Sequence, residues 1–101
     1  MPSAESVSGA QPSLQRDAQT LRFGGDLLAG AIAGLWKPAL ALLGGVRRFD
    51  LAGVGRVDSA GVALLAELAQ RAGGVAVDGD PVGLSALRAA YRLTPALGYA
   101  A

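Results

Sequence analysis

The 101-residue sequence contains no cysteine and no histidine. Without cysteine there is neither a disulfide framework nor thiolate chemistry, a composition that suits a reducing compartment. Without histidine the chain lacks the commonest general base, the commonest metal ligand and the side chain that titrates near neutral pH. Aromatic residues are scarce at 5% of the chain, against 51% hydrophobic residues. A core must therefore be built from Leu, Val and Ala, with Phe23, Trp36, Phe49, Tyr91 and Tyr99 as its few large pieces. An excess of one charge is also missing. Nine basic and eight acidic residues leave a net charge of +1, and they are dispersed along the chain. Neither the clustered Lys/Arg face of a nucleic-acid binder nor the polybasic segment of an anionic-lipid binder is present. Residues Met1–Ser13 are rich in Ser, Gly, Pro and Gln and lack the basic start and apolar run of a secretory signal. They are expected to form a disordered tail, leaving residues 14–101 as one domain with no export signal.

A domain of this length buries roughly two-thirds of its unfolded surface, enough for one modest core. Weak alternation over Leu14–Ala18 and Thr20–Gly24 predicts a short antiparallel hairpin around Asp17-Ala18-Gln19, with Leu21 and Phe23 on one face. Gly24-Gly25 is expected to end it. The 20 residues Leu27–Val46 carry one charge, Lys37, so a transmembrane helix has to be weighed. A central Lys costs roughly +2.5 to +3.5 kcal/mol, against about −0.3 to −0.6 for each Leu, Ile or Val. Pro38 and four glycines add to that cost, so the segment reads as a helix of a water-soluble domain, buried on one face. Leu28, Ile32, Leu35, Ala39 and Leu42 would form its inner stripe. Pro38 is expected to kink it or start a new turn, and Gly44-Gly45 to end it.

Val46–Val54 reads as a strand whose apolar second half suits a central position. Ala60–Ala72 is a helix with Val62, Leu65, Leu68 and Ala69 inward and Glu67, Gln70 and Arg71 outward. Gly74–Asp78 is a short strand and Pro81–Leu93 a third helix, with Leu84, Leu87, Ala90 and Tyr91 inward. Pro95 prevents its continuation, and Leu97 and Tyr99 are expected to cover the sheet edge. The order strand, strand, helix, strand, helix, strand, helix predicts an α/β fold: a small mixed four-stranded sheet with three helices mainly on one face.

The chemistry-bearing stretch is Val57-Asp58-Ser59-Ala60-Gly61, between a strand and a helix. A hydroxyl at a helix N-terminus can cap the helix, accept a phosphate or be offered to a partner. Capping is the commonest use of Asp and Ser there. A serine nucleophile needs a base, and Ser59 has only acidic or Arg neighbours in sequence. Gly53-x-Gly55 is too short for a phosphate loop, no Gly-Lys-Ser/Thr follows, and the leading Gly of a Gly-x-Ser-x-Gly elbow is absent. Asp78 and Asp80 read as solvated turn carboxylates rather than metal ligands. No catalytic residue, metal or cofactor is therefore expected. Leu35 and Trp36 point to different faces of one helix, so one of the two is expected to be exposed.

The run Phe49-Asp50-Leu51-Ala52-Gly53-Val54-Gly55-Arg56-Val57-Asp58-Ser59-Ala60-Gly61-Val62-Ala63-Leu64-Leu65 resembles the STAS domain, the fold of anti-anti-sigma factors. In that family a strand carrying Asp-Leu leads into Asp-Ser/Thr-x-Gly and an apolar helix. The resemblance spans about Leu14 to Leu97. Within the family, Leu35-Trp36 and the short chain are similar to the STAS subunit of Mla (maintenance of lipid asymmetry) ABC transporters. That likeness implies a non-catalytic bacterial subunit, cytoplasmic and peripheral on the inner membrane through its partner. It would bind and support the ATPase of a phospholipid-transporting complex containing a permease, using Arg56, Asp58, Ser59, Ala60, Gly61 and the exposed side of the next helix. The wider family implies an alternative, an anti-anti-sigma-type regulator whose partner is a serine kinase/anti-sigma factor that phosphorylates Ser59. A phosphate there would add about −1.5 to −2 charge at a helix N-terminus. Neither reading involves nucleic acid or direct membrane insertion. One departure stands out: the family often has Thr or Ser where the first helix begins, whereas this chain has Ala29-Gly30-Ala31. That helix start is expected to lack a side-chain cap and to fray.

Overall fold

The fold begins with the hairpin. Strand β1 (Ser13–Asp17) pairs antiparallel with β2 (Thr20–Leu27), the chain reversing through Ala18, whose φ of 55° lies in the left-handed region. The computed structural model describes residues 12–94 and 96–98. The proposed tail over residues 1–11 and the parts assigned to Pro95 and Tyr99 thus lie outside the described residues, while Ser13, placed in the tail from sequence, opens β1.

The hairpin pairing ends at Gly24, opposite Ser13, but the strand does not. β2 runs on to Leu27 because β3 (Arg48–Val57) lies parallel beside it and supplies backbone partners. β3 likewise continues three residues past Val54. Arg22 pairs with Asp50 and Gly24 with Gly53; Gly25 pairs with Val54 and Leu27 with Val57. Each step of two residues on β2 is thus matched by three on β3, so β3 bulges twice. Asp50 Oδ1 accepts the Ala52 N–H at 2.9 Å at the first bulge. The inward side chains of β3 are consequently Phe49, Leu51, Val54 and Val57, a spacing that breaks period-two alternation.

The sheet order is β1-β2-β3-β4, with β4 (Ala76–Asp78) parallel to β3. Helices α1 (Ala29–Leu42), α2 (Ser59–Arg71) and α3 (Leu84–Ala90) follow β2, β3 and β4. Leu21, Phe23, Leu27, Phe49 and Leu51 form one core with Leu35 and Ala39 of α1 and Val62, Leu65 and Leu68 of α2. Phe23 and Phe49 meet edge-to-face at 5.3 Å between ring centroids. The other sheet face is polar: Arg22 reaches Asp17 and Asp50, and Arg48 holds Asp78 at 2.6 Å. Asp78 is thus ion-paired, while Asp80 accepts from the Ser85 hydroxyl. Exposed pairs of this kind are worth up to about 1 kcal/mol each.

α1 passes through Pro38 as one helix. Gly34, whose carbonyl loses its donor to Pro38, is exposed, so water can satisfy it. At 14 residues the helix is about 21 Å long, against about 30 Å of bilayer hydrocarbon. Among the described residues no helix is long and apolar enough to cross a membrane. Leu35 is buried and Trp36 half-buried, with the Arg71 guanidinium of α2 5.2 Å from the indole centroid.

The third helix is shorter than its sequence pattern. Val82 forms a parallel bridge with Arg56 at the sheet edge, and Gly83, at φ 95°, sits against the Val57 carbonyl. The helix ends before Pro95, where Arg92 turns into the left-handed region and the Leu93 N–H donates to Arg88. Ala90 and Tyr91, at the end of α3 and just past it, are exposed, contrary to their expected inward placement. Leu97 is buried, lining a groove with Ala66 and Ala69 of α2.

Phe49 sits at the centre of the core, so Phe49→Ala is expected to cost about 3–5 kcal/mol. Urea denaturation should show this as a lower midpoint with an unchanged slope.

Candidate functional site

α1 and α2 both follow parallel strands, so their N-termini emerge side by side at one end of the sheet. Each helix brings backbone N–H groups with no intrahelical acceptor. α2 begins with Asp58 as N-cap, in extended conformation. Its Oδ1 accepts the Gly61 N–H at 2.9 Å, and its Oδ2 accepts the Ala29 N–H of α1 at 2.8 Å. The Asp58 N–H donates to the Leu27 carbonyl, the last residue of β2. One carboxylate thus caps two helices and ties both to the sheet. The bare start at Ala29-Gly30-Ala31 is capped after all, from 29 residues away. The opposite end of α1 also borrows its partner: Arg16 of β1 donates to the Leu42 carbonyl.

This arrangement sets the electrostatics of Asp58. Partial burial of the carboxyl pushes its pKa up, but hydrogen bonds from Gly61, Ala29, Ala60 and its own N–H outweigh that, and the pKa lies below the ordinary Asp value. A carboxylate held ionised, with both oxygens engaged, is a poor proton acceptor.

Gly61 is buried in the first turn of α2, where a Cβ would run into the Leu27 carbonyl oxygen and come within 3.1 Å of the Leu27 side chain. It allows the close approach and offers no surface to a partner. Ala60 is half-buried. Arg56 is exposed and reaches Asp26 of β2 at 3.3 Å. Ser59, the first residue of α2, is exposed, and among the described residues its hydroxyl makes no hydrogen bond. The capping role falls to Asp58, so of the residues singled out from sequence only Ser59 presents an uncommitted polar group on this turn.

Ser59 also lines a groove with Val62, Ala63, Ala66, Tyr91 and Leu93. Tyr91 and Leu93 carried no sequence signal for this place, because the tight reversal at Arg92 puts them there. Among the described residues no group of three or more acidic side chains is arranged to hold a metal ion.

The family model described as Mlab, STAS domain, matches residues 10–96 of the chain. No curated protein matches it.

Two substitutions separate the roles in this turn. Asp58→Asn keeps an acceptor for Gly61 but turns an N–H₂ toward Ala29, so amide exchange should accelerate at Ala29–Ala31 while the start of α2 stays protected; Asp58→Ala should release both, at about 0.5–2 kcal/mol per cap. Because the folded-state pKa is lowered, the contribution of Asp58 is present above the ordinary Asp range and is lost as pH falls through the folded pKa. Wild type and Asp58→Asn should therefore converge in stability on acidification. Gly61→Ala reverses the usual sign: the gain of about 1 kcal/mol for Ala over Gly in a helix is overridden by the Leu27 contact, and the melting temperature should fall.

Proposed function

The chain belongs to the STAS domain family, and from that premise we propose that it is a non-catalytic binding subunit of an Mla-type phospholipid ABC transporter, docking on the transporter ATPase through the Ser59 turn. The observation that carries this reading is the state of Ser59: an exposed, unbonded hydroxyl on a turn held rigid by the doubly bonded Asp58 and the close-packed Gly61. A rigid hydroxyl with no base beside it suits recognition rather than nucleophilic attack. Asp58 has both oxygens occupied, and the sequence contains no histidine. The description of the matching family model, Mlab, STAS domain, is consistent with the transporter assignment. In this reading Arg56 and the exposed side of α2 complete the contact, and the partner holds the subunit at the cytoplasmic side of the inner membrane.

A second reading draws on the same hydroxyl. At the first position of a helix, where the helix dipole favours negative charge, the exposed Ser59 hydroxyl is chemically placed to accept a phosphate. An anti-anti-sigma-type regulator would use it that way, with a serine kinase as partner.

Ser59→Arg places a bulky cation on the docking turn without touching the core. It should abolish capture by the cognate ATPase while the thermal melt stays unchanged. Full binding by this variant rejects the site. Intact mass after incubation with ATP and a cognate serine kinase separates the two readings, since a stoichiometric phosphate that Ser59→Ala removes favours the regulator.

A further inference from the structure

Two large hydrophobic side chains are exposed among the described residues, Val82 at 74% and Tyr91 at 45%. Isolated exposed apolar residues are ordinary on any protein, so their placement decides what they mean. Both stand beside the Ser59 turn. Val82 bridges to Arg56, and Tyr91 shares with Ser59 the groove between α2 and the segment after α3. That groove measures about 230 Å³ and is otherwise walled by Val62, Ala63, Ala66 and Leu93. A cavity of about 150 Å³ admits benzene, so the groove has room for one large apolar side chain.

Arg88 and Arg92 bracket Tyr91 in sequence, and the Arg88 carbonyl accepts the N–H of groove-lining Leu93 at 2.9 Å. Neither guanidinium makes an ion pair among the described residues, whereas Arg22, Arg48, Arg56 and Arg71 each do. Asp58 has no oxygen to spare for them.

We infer that this groove receives one apolar side chain from the ATPase that docks at Ser59, and that the ATPase carries acidic residues beside that anchor to meet Arg88 and Arg92. The inference rests on the docking function proposed above and adds the chemistry of the partner's contact. An apolar anchor packed on Tyr91 has the character of an interface hot spot, with Tyr and Arg the side chains most often found there. Arginines within three residues of Tyr91 and without an ion pair among the described residues steer an acidic partner and make association sensitive to salt.

The test is titration calorimetry of the full chain against the purified cognate ATPase at low and high salt. Ala63→Phe fills the groove from an exposed helical position, and Tyr91→Ala removes one wall at a site outside the core. Each should weaken Kd at least tenfold with an unchanged melting temperature. The pair Arg88→Glu and Arg92→Glu should weaken it further and flatten its salt dependence. Full affinity in Ala63→Phe and Tyr91→Ala, with binding lost in Ser59→Arg, overturns the groove inference and leaves the docking reading standing. Binding indifferent to Ser59→Arg as well overturns both. Tighter binding by the charge-reversed pair overturns the acidic partner. Self-association of the isolated chain that Ala63→Phe abolishes assigns the groove to a second copy instead.

Discussion

The carboxylate of Asp58 is the contact on which the functional end of this molecule depends. Two parallel β–α units bring two helix N-termini together, each with N–H groups that water or a side chain must satisfy. One acid between them serves both, because a carboxylate has two oxygens and each points at a different helix. The weaker helix gains more. α1 contains Gly30, Gly34 and Pro38, where glycine is about 1 and proline about 3 kcal/mol less favourable than alanine in a helix interior. It has no acidic residue in its first turn and no basic residue in its last. Its charged partners come from elsewhere, Asp58 at the start and Arg16 at the end, and its packing comes from Leu35 and Ala39 against the core.

The Asp-Ser-x-Gly turn divides into two kinds of residue. Asp58 and Gly61 are structural: one bonds both helices, and the other lets α2 approach the Leu27 carbonyl. Ser59 is left outward and unbonded between them. A STAS domain with this turn therefore has a fixed platform and one variable group upon it, and a change at Ser59 alters what the platform presents without altering how it is held. Arg56, Val82 and Tyr91 border the platform, and each is placed by a different element. β3 supplies Arg56, the bridge at the sheet edge supplies Val82, and the reversal after α3 supplies Tyr91.

Much of this was legible in local pattern. The hairpin, the three helices and their order follow from apolar spacing and from Gly and Pro punctuation, and the inner stripe of α2 is buried at the four positions its periodicity names. Where the structure departs from local pattern, a contact made elsewhere in the chain or a backbone reversal is the reason. β2 runs past Gly24-Gly25 because β3 supplies it with backbone partners, and β3 runs past Val54 through two bulges that each shift its inward face by one residue. A bulge exists only relative to a neighbouring strand, so one strand's sequence does not announce it. α3 stops at Ala90 although the apolar spacing continues through Tyr91, because the backbone turns left-handed at Arg92.

The sequence by itself determined the absence of histidine and thiol chemistry, the α/β order, and the turn that marks a STAS domain. These are properties of composition and short-range spacing, which a chain carries whether folded or not. The tertiary structure alone decided that Asp58 rather than Ser59 is the cap, that it caps α1 as well, and that Tyr91 stands beside Ser59 instead of in the core. Those facts depend on segments about 30 residues apart meeting at one end of a parallel sheet. Such meetings are made by the register of the strands, not by the residues next to them in the chain.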